Sequence, residues 1–231
     1  MALKFEDGDI IISTRGGEYR GDFSVVFWYN AQEVYSWGRT AFSTLSCGIT
    51  VALMPRGDGY FFAYVADGTE AGLRLSWKRL TFPSVYDTWY HLGFTASSTQ
   101  YKLYRNGEKI ASGVYAPITP LLYNASGYIN LGNLFGHNWN YNYYGYLEDV
   151  RIYDRVLSAE EMQSIYHSAG ADNIAYGLKN RWVLNEMPEG TRPQGENSII
   201  DVSAEHFHGT PWSYMKYFNS MFLKKRGGMV I

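Results

Sequence analysis

The sequence predicts an all-β protein: an antiparallel two-sheet sandwich with one short helix and a C-terminal extension. Three observations predict it. Short apolar or alternating runs recur at roughly 8–12-residue spacing, with no βαβ alternation and no internal repeat of fixed period. Aromatic residues make up 17% of the chain, and 24 Gly accompany them, a pairing that favours strands joined by tight turns. Helical spacing enters late, in the segment that follows Leu157.

The elements follow in order. Lys4–Asp9 (KFEDGD) precedes an apolar strand. Phe23–Tyr29 (FSVVFWY) is nearly continuous in apolar residues, as expected of a strand covered on both faces. Gly48–Met54 and Gly59–Val65 flank Pro55–Asp58, a turn of Pro, Gly and Asp. Leu73–Trp77 alternates, and Trp89–Thr95 and Gln100–Arg105 follow with a serine-rich turn between them. Asn106–Gly107 is the strongest hairpin signal, because both positions tolerate positive φ; it leads into Glu108–Ser112. Tyr128–Gly132 precedes a polar aromatic loop, and Gly145–Tyr153 is the last strand before the helix. Ser158 stands three residues before Glu161, the spacing of a capping box. Leu157, Met162 and Ile165 form one apolar stripe, so the helix is expected to lie on a sheet.

These residues, taken in order, resemble laminin-G-like domains, the jelly-roll sandwiches of concanavalin A type. The resemblance rests on KFEDGD, FSVVFWYN, WYHLGFT followed by YKLYRNGEKI, YINLGN, and YYGYLEDVRIYDRVLSAEEMQSIY. It covers about residues 3–168, so residues 1–168 are expected to form the jelly-roll domain. Residues 169–231 are expected to form an extension packing on that domain or on a neighbouring subunit. Within it Ser168–Gly177 reads as a linker and Glu186–Asn197 as a loop. GLKNRWVLNE and SIIDVSAEHFHGTP resemble the opening of another such unit, but too few residues follow for a second sandwich. An appendage that borrows an edge strand is the economical expectation. Laminin-G-like proteins of tailed phages carry a similar tail, and the chain resembles them in this too.

Composition excludes several classes. Net charge is −2 and no basic run exceeds Lys224–Lys225–Arg226, which disfavours nucleic acid as a partner. The single cysteine, Cys47, excludes an internal disulfide framework. No apolar run reaches the ~18 residues of a membrane span, and the N-terminus lacks signal-peptide features. Synthesis in a host cytoplasm, with no membrane partner, is the resulting expectation.

Catalytic chemistry finds little support. Hydrolases of this superfamily use paired carboxylates on one strand, and retaining hydrolysis needs carboxyl groups about 5–5.5 Å apart. Glu148 and Asp149 are adjacent, so a regular strand turns them to opposite faces. No E-x-D-x-E pattern or G-x-S-x-G elbow is present. His91 lies among strand apolars and reads as a core histidine. His206 and His208 could share a metal, or serve as turn residues, which is the stronger expectation. The resemblance implies a possible Ca2+ site near the opening and closing strands, for which Asp7, Asp9 and Glu148, or Asp149, are the candidate ligands. The alternative is an ion pair of Glu148 or Asp149 with Arg151 or Arg155.

Binding is expected in the loop Asn133–Tyr144, where Asn138, Asn140 and Asn142 interleave with Trp139, Tyr141 and Tyr143. Aromatic faces take the CH side of a sugar and amides suit vicinal hydroxyls; the same residues could also serve protein contacts or internal packing. The C-terminal stretch is too apolar for a free tail, and Trp212, Tyr217, Phe218 and Phe222 are the expected partner contacts. Together these features lead to a non-enzymatic virion structural protein as the expected function: a capsid decoration or other particle-surface protein. Its expected partners are other virion proteins or further copies of itself, and cell-surface glycans. The alternative is a carbohydrate-binding lectin outside a virion; a glycoside hydrolase comes third.

Overall fold

Alternation along Phe23–Ala31 (β3) explains the layers of this molecule. Phe23, Val25, Phe27, Tyr29 and Ala31 join the central core between two sheets. Val26 and Trp28 point the other way, into smaller clusters with residues of the helix. All nine residues are buried, so the strand is covered on both faces, as its unbroken apolar run predicts. The computed structural model describes residues 2–5, 11–13, 22–32, 39–45, 50–67, 76–114, 128–133, 142–185, 188, 191, 193–196, 198–211 and 216–218.

The first sheet runs in the order β10 (Glu108–Val114), β9 (Gln100–Arg105), β8 (Trp89–Ala96), β3, β12 (Gly145–Tyr153), β1 (Ala2–Phe5), β15 (Lys216–Phe218). A further strand, β13 (Leu178–Trp182), also pairs with β12. The second sheet runs β14 (Thr210–Pro211), β2 (Ile11–Ser13), β11 (Tyr128–Leu131), β4 (Phe42–Leu45), β5 (Thr50–Pro55), β6 (Tyr60–Asp67), β7 (Ser76–Pro83). Every ladder between these strands is antiparallel. The two sheets enclose one core in which Phe27 stacks on Phe42 and Phe61 on Phe82.

Of the expected Leu73–Trp77 strand, residues 73–75 lie outside the described residues, and Ser76 and Trp77 open β7. The strand continues to Pro83, through Lys78 and Arg79. Those charges mask the alternation in the sequence, but β7 ends its sheet, where one face meets water while Phe82 faces the core. Cys47 lies outside the described residues.

The helix α1 (Ala159–Ser168) starts as its sequence predicts. Ser158 Oγ accepts the Glu161 amide, and the Glu161 carboxylate accepts the Ser158 amide. Met162, Ile165 and the preceding Leu157 are buried with Val26, Tyr104 and Tyr153. Contact with the sheet is close because β8 has a glycine beneath the helix: a Cβ on Gly93 would lie 2.6 Å from Met162 Sδ. The turn before the helix hangs on buried Ser24, whose Oγ donates to Arg155 O and accepts from the Leu157 amide. Asn106 and Gly107 have φ of 53° and 81°, the two positive values expected of their hairpin.

β12 contains a bulge that the sequence does not announce. Glu148 pairs with Trp28 and Arg151 with Val26, so Asp149 and Val150 together oppose one residue of β3. Asp149 takes φ 48°, a left-handed conformation that Asp tolerates better than most residues. Simple alternation of Glu148 and Asp149 therefore fails, because the ladder is interrupted between them.

The C-terminal segment is built into both sheets. β13 pairs with β12, β14 with β2, and β15 with β1. Asp201 organises it. This buried carboxylate accepts the amides of Arg181, Ser203 and Phe207 and the side-chain amide of Asn180, at 2.8–3.0 Å. His208 Nδ1 accepts the Asp201 amide, consistent with a turn role for this histidine. Trp182 is buried, and its Nε1 donates to Phe207 O. The expected linker Ser168–Gly177 is pinned as well: Asp172 accepts Ser168 Oγ and the Ile174 amide.

Candidate functional site

The expected glycan residues separate on inspection. Asn138, Trp139, Asn140 and Tyr141 lie outside the described residues. Asn142 and Tyr143 are buried, which corrects their assignment as surface ligands. The Asn142 carbonyl accepts Arg39 Nη1 at 2.9 Å and its side-chain oxygen accepts from Asn133 Nδ2. Tyr143 packs edge-on against Phe5 and donates to Tyr146 O. The next residue but one is Gly145, where a Cβ would meet Asn30 O at 2.1 Å, so the chain presses Tyr143 directly into the core. Burial pushes the Tyr143 hydroxyl well above its ordinary pKa.

Of the candidate calcium ligands, Asp7 and Asp9 lie outside the described residues. Glu148 is buried on the outer face of the first sheet, across from Trp28. Among the described residues no three His, Cys, Asp or Glu side chains converge as a metal set. Asp149 is held in an ion-pair group of two arginines and two aspartates. Arg151 Nη2 lies 2.5 Å from Asp149 Oδ2, and its Nη1 and Nη2 grip both oxygens of Asp172 at 2.7 and 2.9 Å. Arg181 stands directly opposite Arg151 on β13 and reaches Asp149 Oδ1 at 2.7 Å and Gly170 O at 2.9 Å. The two guanidinium groups are bridged by Asp149, which bonds both, while Asp172 pairs with Arg151 alone of the two. Burial by itself would raise the Asp172 carboxyl, but the hydrogen bonds and charge of Arg151 hold it at about 2, below an ordinary 3.8. Burial would lower Arg151, and Asp149 and Asp172 raise it instead. This group locks the end of α1 to β12 and β13.

A different set of residues forms an accessible polar and aromatic surface. Register places Trp89 of β8 opposite Asn30 of β3, Asn30 opposite Tyr146 of β12, and Tyr146 opposite Lys4 of β1. Directly opposed residues share a face, so the four make one row across four strands. Trp89, Tyr146 and Lys4 are half-buried. The Trp89 and Tyr146 ring centroids lie 6.1 Å apart, with Asn30 set deep between them. Lys4 Nζ stands 5.7 Å from the Tyr144 ring centroid at the end of the row. The adjacent row is closed: His91, Trp28 and Glu148 are buried near α1, with Tyr166 stacked on Trp28 at 5.5 Å. His91 is thus a core histidine, its ring 5.1 Å from Trp28.

Sequence reasoning used Trp89 and Tyr146 only as strand markers. The signal that could have found them is the alternation itself. Tyr146 stands out of phase with core residue Leu147, and Asn30 with Tyr29 and Ala31, so both belong to the outer face.

The expected partner residues Trp212 and Phe222 lie outside the described residues. Tyr217 and Phe218 belong to β15 and pair with Leu3 and Ala2 of the same chain.

Two antiparallel sheets around one core, with a capped helix on the outer face of the first sheet, define a lectin-type sandwich. The chain belongs to the concanavalin A-like lectin/glucanase superfamily, whose family model matches residues 6–163. Among solved structures it is similar to a Bacteroides ovatus protein proposed to bind carbohydrate. That match has a TM-score of 0.67 and 19% identity, covering 95% of this chain and 60% of the other. It is also similar to the binding domain of botulinum neurotoxin serotype D, at TM-score 0.57 and 19% identity over 72% of this chain and 42% of that one. The ligand-binding domain of the same serotype in complex with N-acetylneuraminic acid matches at TM-score 0.57 and 19% identity, over 72% and 41% of the two chains. The chain therefore spans 60% or less of each of these proteins, and the likeness is one of fold. No curated protein matches it.

Proposed function

We propose that the protein is a non-catalytic carbohydrate-binding module that holds a sugar against the row Trp89–Asn30–Tyr146–Lys4. The observation that carries this reading is the pair of half-buried rings on one sheet face, with a cation at the end of the row. Aromatic faces cover the CH side of a pyranose, and the Lys4 ammonium meets its hydroxyls. The lectin-type fold supports it, as do a solved neighbour proposed to bind carbohydrate and another in complex with a sialic acid. Replacing Trp89 by alanine removes about 80 Å2 of stacking surface, worth about 2 kcal/mol or a roughly thirtyfold loss of affinity. Calorimetry with the best ligand from a glycan array, on wild type, Trp89→Ala and Tyr146→Ala, measures it. Unchanged affinity in both variants rules this surface out.

A particle-surface setting, expected from the sequence, would present such a module to glycans of a host surface. Mass spectrometry of purified particles tests that setting independently of any binding, and particles lacking the polypeptide would sink it.

A further inference from the structure

A second surface on the same sheet has a different chemistry. Lys102 and Tyr104 are two residues apart on β9, and Lys109 stands opposite Tyr104 on β10. Alternation and register put all three on the outer face, the one that α1 covers. They line an open groove of about 450 Å3, whose far wall is the turn from Arg155 into the start of the helix.

The charges in this groove are unevenly matched. Arg155 is neutralised by Glu161, which it grips with two hydrogen bonds of 2.7 and 2.6 Å. Glu160, on the helix's first turn, accepts Ser158 Oγ at 2.8 Å. Lys102 and Lys109 make no ion pair among the described residues. Between them lies Tyr104, only 2% exposed, its ring packed with Val26, Tyr153, Leu157, Met162 and Ile165. Its hydroxyl has no hydrogen-bond partner among the described residues. Burial, with a contribution from the Glu160 charge, pushes that hydroxyl above its ordinary pKa, so it stays a donor. The ring is buried but the hydroxyl opens onto the groove, where a phenol donor beside two ammonium groups suits an anionic oxygen.

We propose that this groove is a second binding site, for a sulfate or carboxylate group carried on a saccharide. Lysines act as point charges and accept either group, and the Tyr104 hydroxyl supplies a directed hydrogen bond. Val156 and Ala159 at the rim offer apolar contact to the ring that bears the anion. The groove's volume falls in the range of small-ligand sites, and exceeds what a bare anion needs. The site does not depend on the Trp89 row. It lies at the N-terminal end of α1, whereas Trp89 packs beside Tyr166 and Ala169 at the other end.

The test is calorimetric titration of the full chain with a sulfated hexasaccharide, a polyuronate hexasaccharide and a neutral hexasaccharide. At least one acidic oligosaccharide binds, more weakly as salt rises, because exposed lysine charges are screened. The preferred one tells sulfate from carboxylate. The double variant Lys102→Gln/Lys109→Gln and the single variant Tyr104→Phe each weaken that binding roughly tenfold or more. Tyr104→Phe also leaves the urea midpoint unchanged or higher, because the hydroxyl makes no bond that the fold uses. Trp89→Ala keeps the acidic ligand bound, which separates failure of the aromatic row from failure of the groove. Equal binding of all three oligosaccharides, binding of none, binding indifferent to the groove variants, or its loss in Trp89→Ala overturns the proposal.

Discussion

Arg151→Met destabilises the fold by about 3–5 kcal/mol at pH 7, seen as a lower urea midpoint. Arg151 is 1% exposed and is the cation shared by Asp149 and Asp172. Its removal leaves Asp172 buried with no guanidinium, while Asp149 keeps Arg181. Methionine matches the stem but offers no charge, so the loss is that of an uncompensated carboxylate and not of packing volume. Arg151→Lys falls between, because an ammonium cannot grip both oxygens of Asp172 at once. The pH profile identifies the cause. The folded pKa of Asp172, about 2, lies below its ordinary 3.8, so its stabilisation is fully present above pH ~4. It is lost as pH falls through about 2, a change of roughly 2 kcal/mol in wild type. In Arg151→Met burial raises the Asp172 carboxyl instead, so that variant gains stability on mild acidification. Parallel pH profiles for the two proteins would show that Asp172 does not need Arg151.

The second large effect is expected at Asp201. Alanine there leaves three backbone amides and the Asn180 amide without their acceptor, around a carboxylate that is itself buried. Each unsatisfied buried donor costs about 1–3 kcal/mol, so a total loss of at least about 3 kcal/mol is expected. Asp201→Asn does not rescue it, since one of its two acceptor atoms becomes a donor facing donors. The loss is local in origin. Hydrogen exchange in Asp201→Ala should accelerate first across 178–211, while β3 and β8 stay protected. Uniform acceleration across both sheets would instead show that the C-terminal segment and the sandwich open as one unit.

How much of this was legible in the sequence depended on the range of each interaction. The Ser158–Glu161 box and the Asn106–Gly107 hairpin involve neighbours in the chain, and both stand where their residues predict. The double burial of β3 was legible from its unbroken apolar run. The bulge at Asp149 was not, because Asp149 answers to Arg181 on a strand 32 residues away. Nor was the fate of Asn142 and Tyr143. Alternating Asn and Tyr describe a binding loop and a buried crossing equally well, and Gly145 with Phe5 decides between them. The strand pairings of the C-terminal segment were not legible either: β13, β14 and β15 pair with β12, β2 and β1, partners distant in the chain.

The candidate site shows the same division. Trp89, Asn30, Tyr146 and Lys4 come from four separated stretches, and no spacing rule connects them. By itself the sequence determined the β class, the strand faces, the helix and its cap, since alternation and capping are set within a few residues. Only the tertiary structure decided which faces meet. Cross-strand register aligned a tryptophan, an asparagine, a tyrosine and a lysine in one row. The same packing set two lysines around an unpaired tyrosine hydroxyl and drew Tyr143 inward, because register is fixed by burial of the opposite face and not by the residues it brings together.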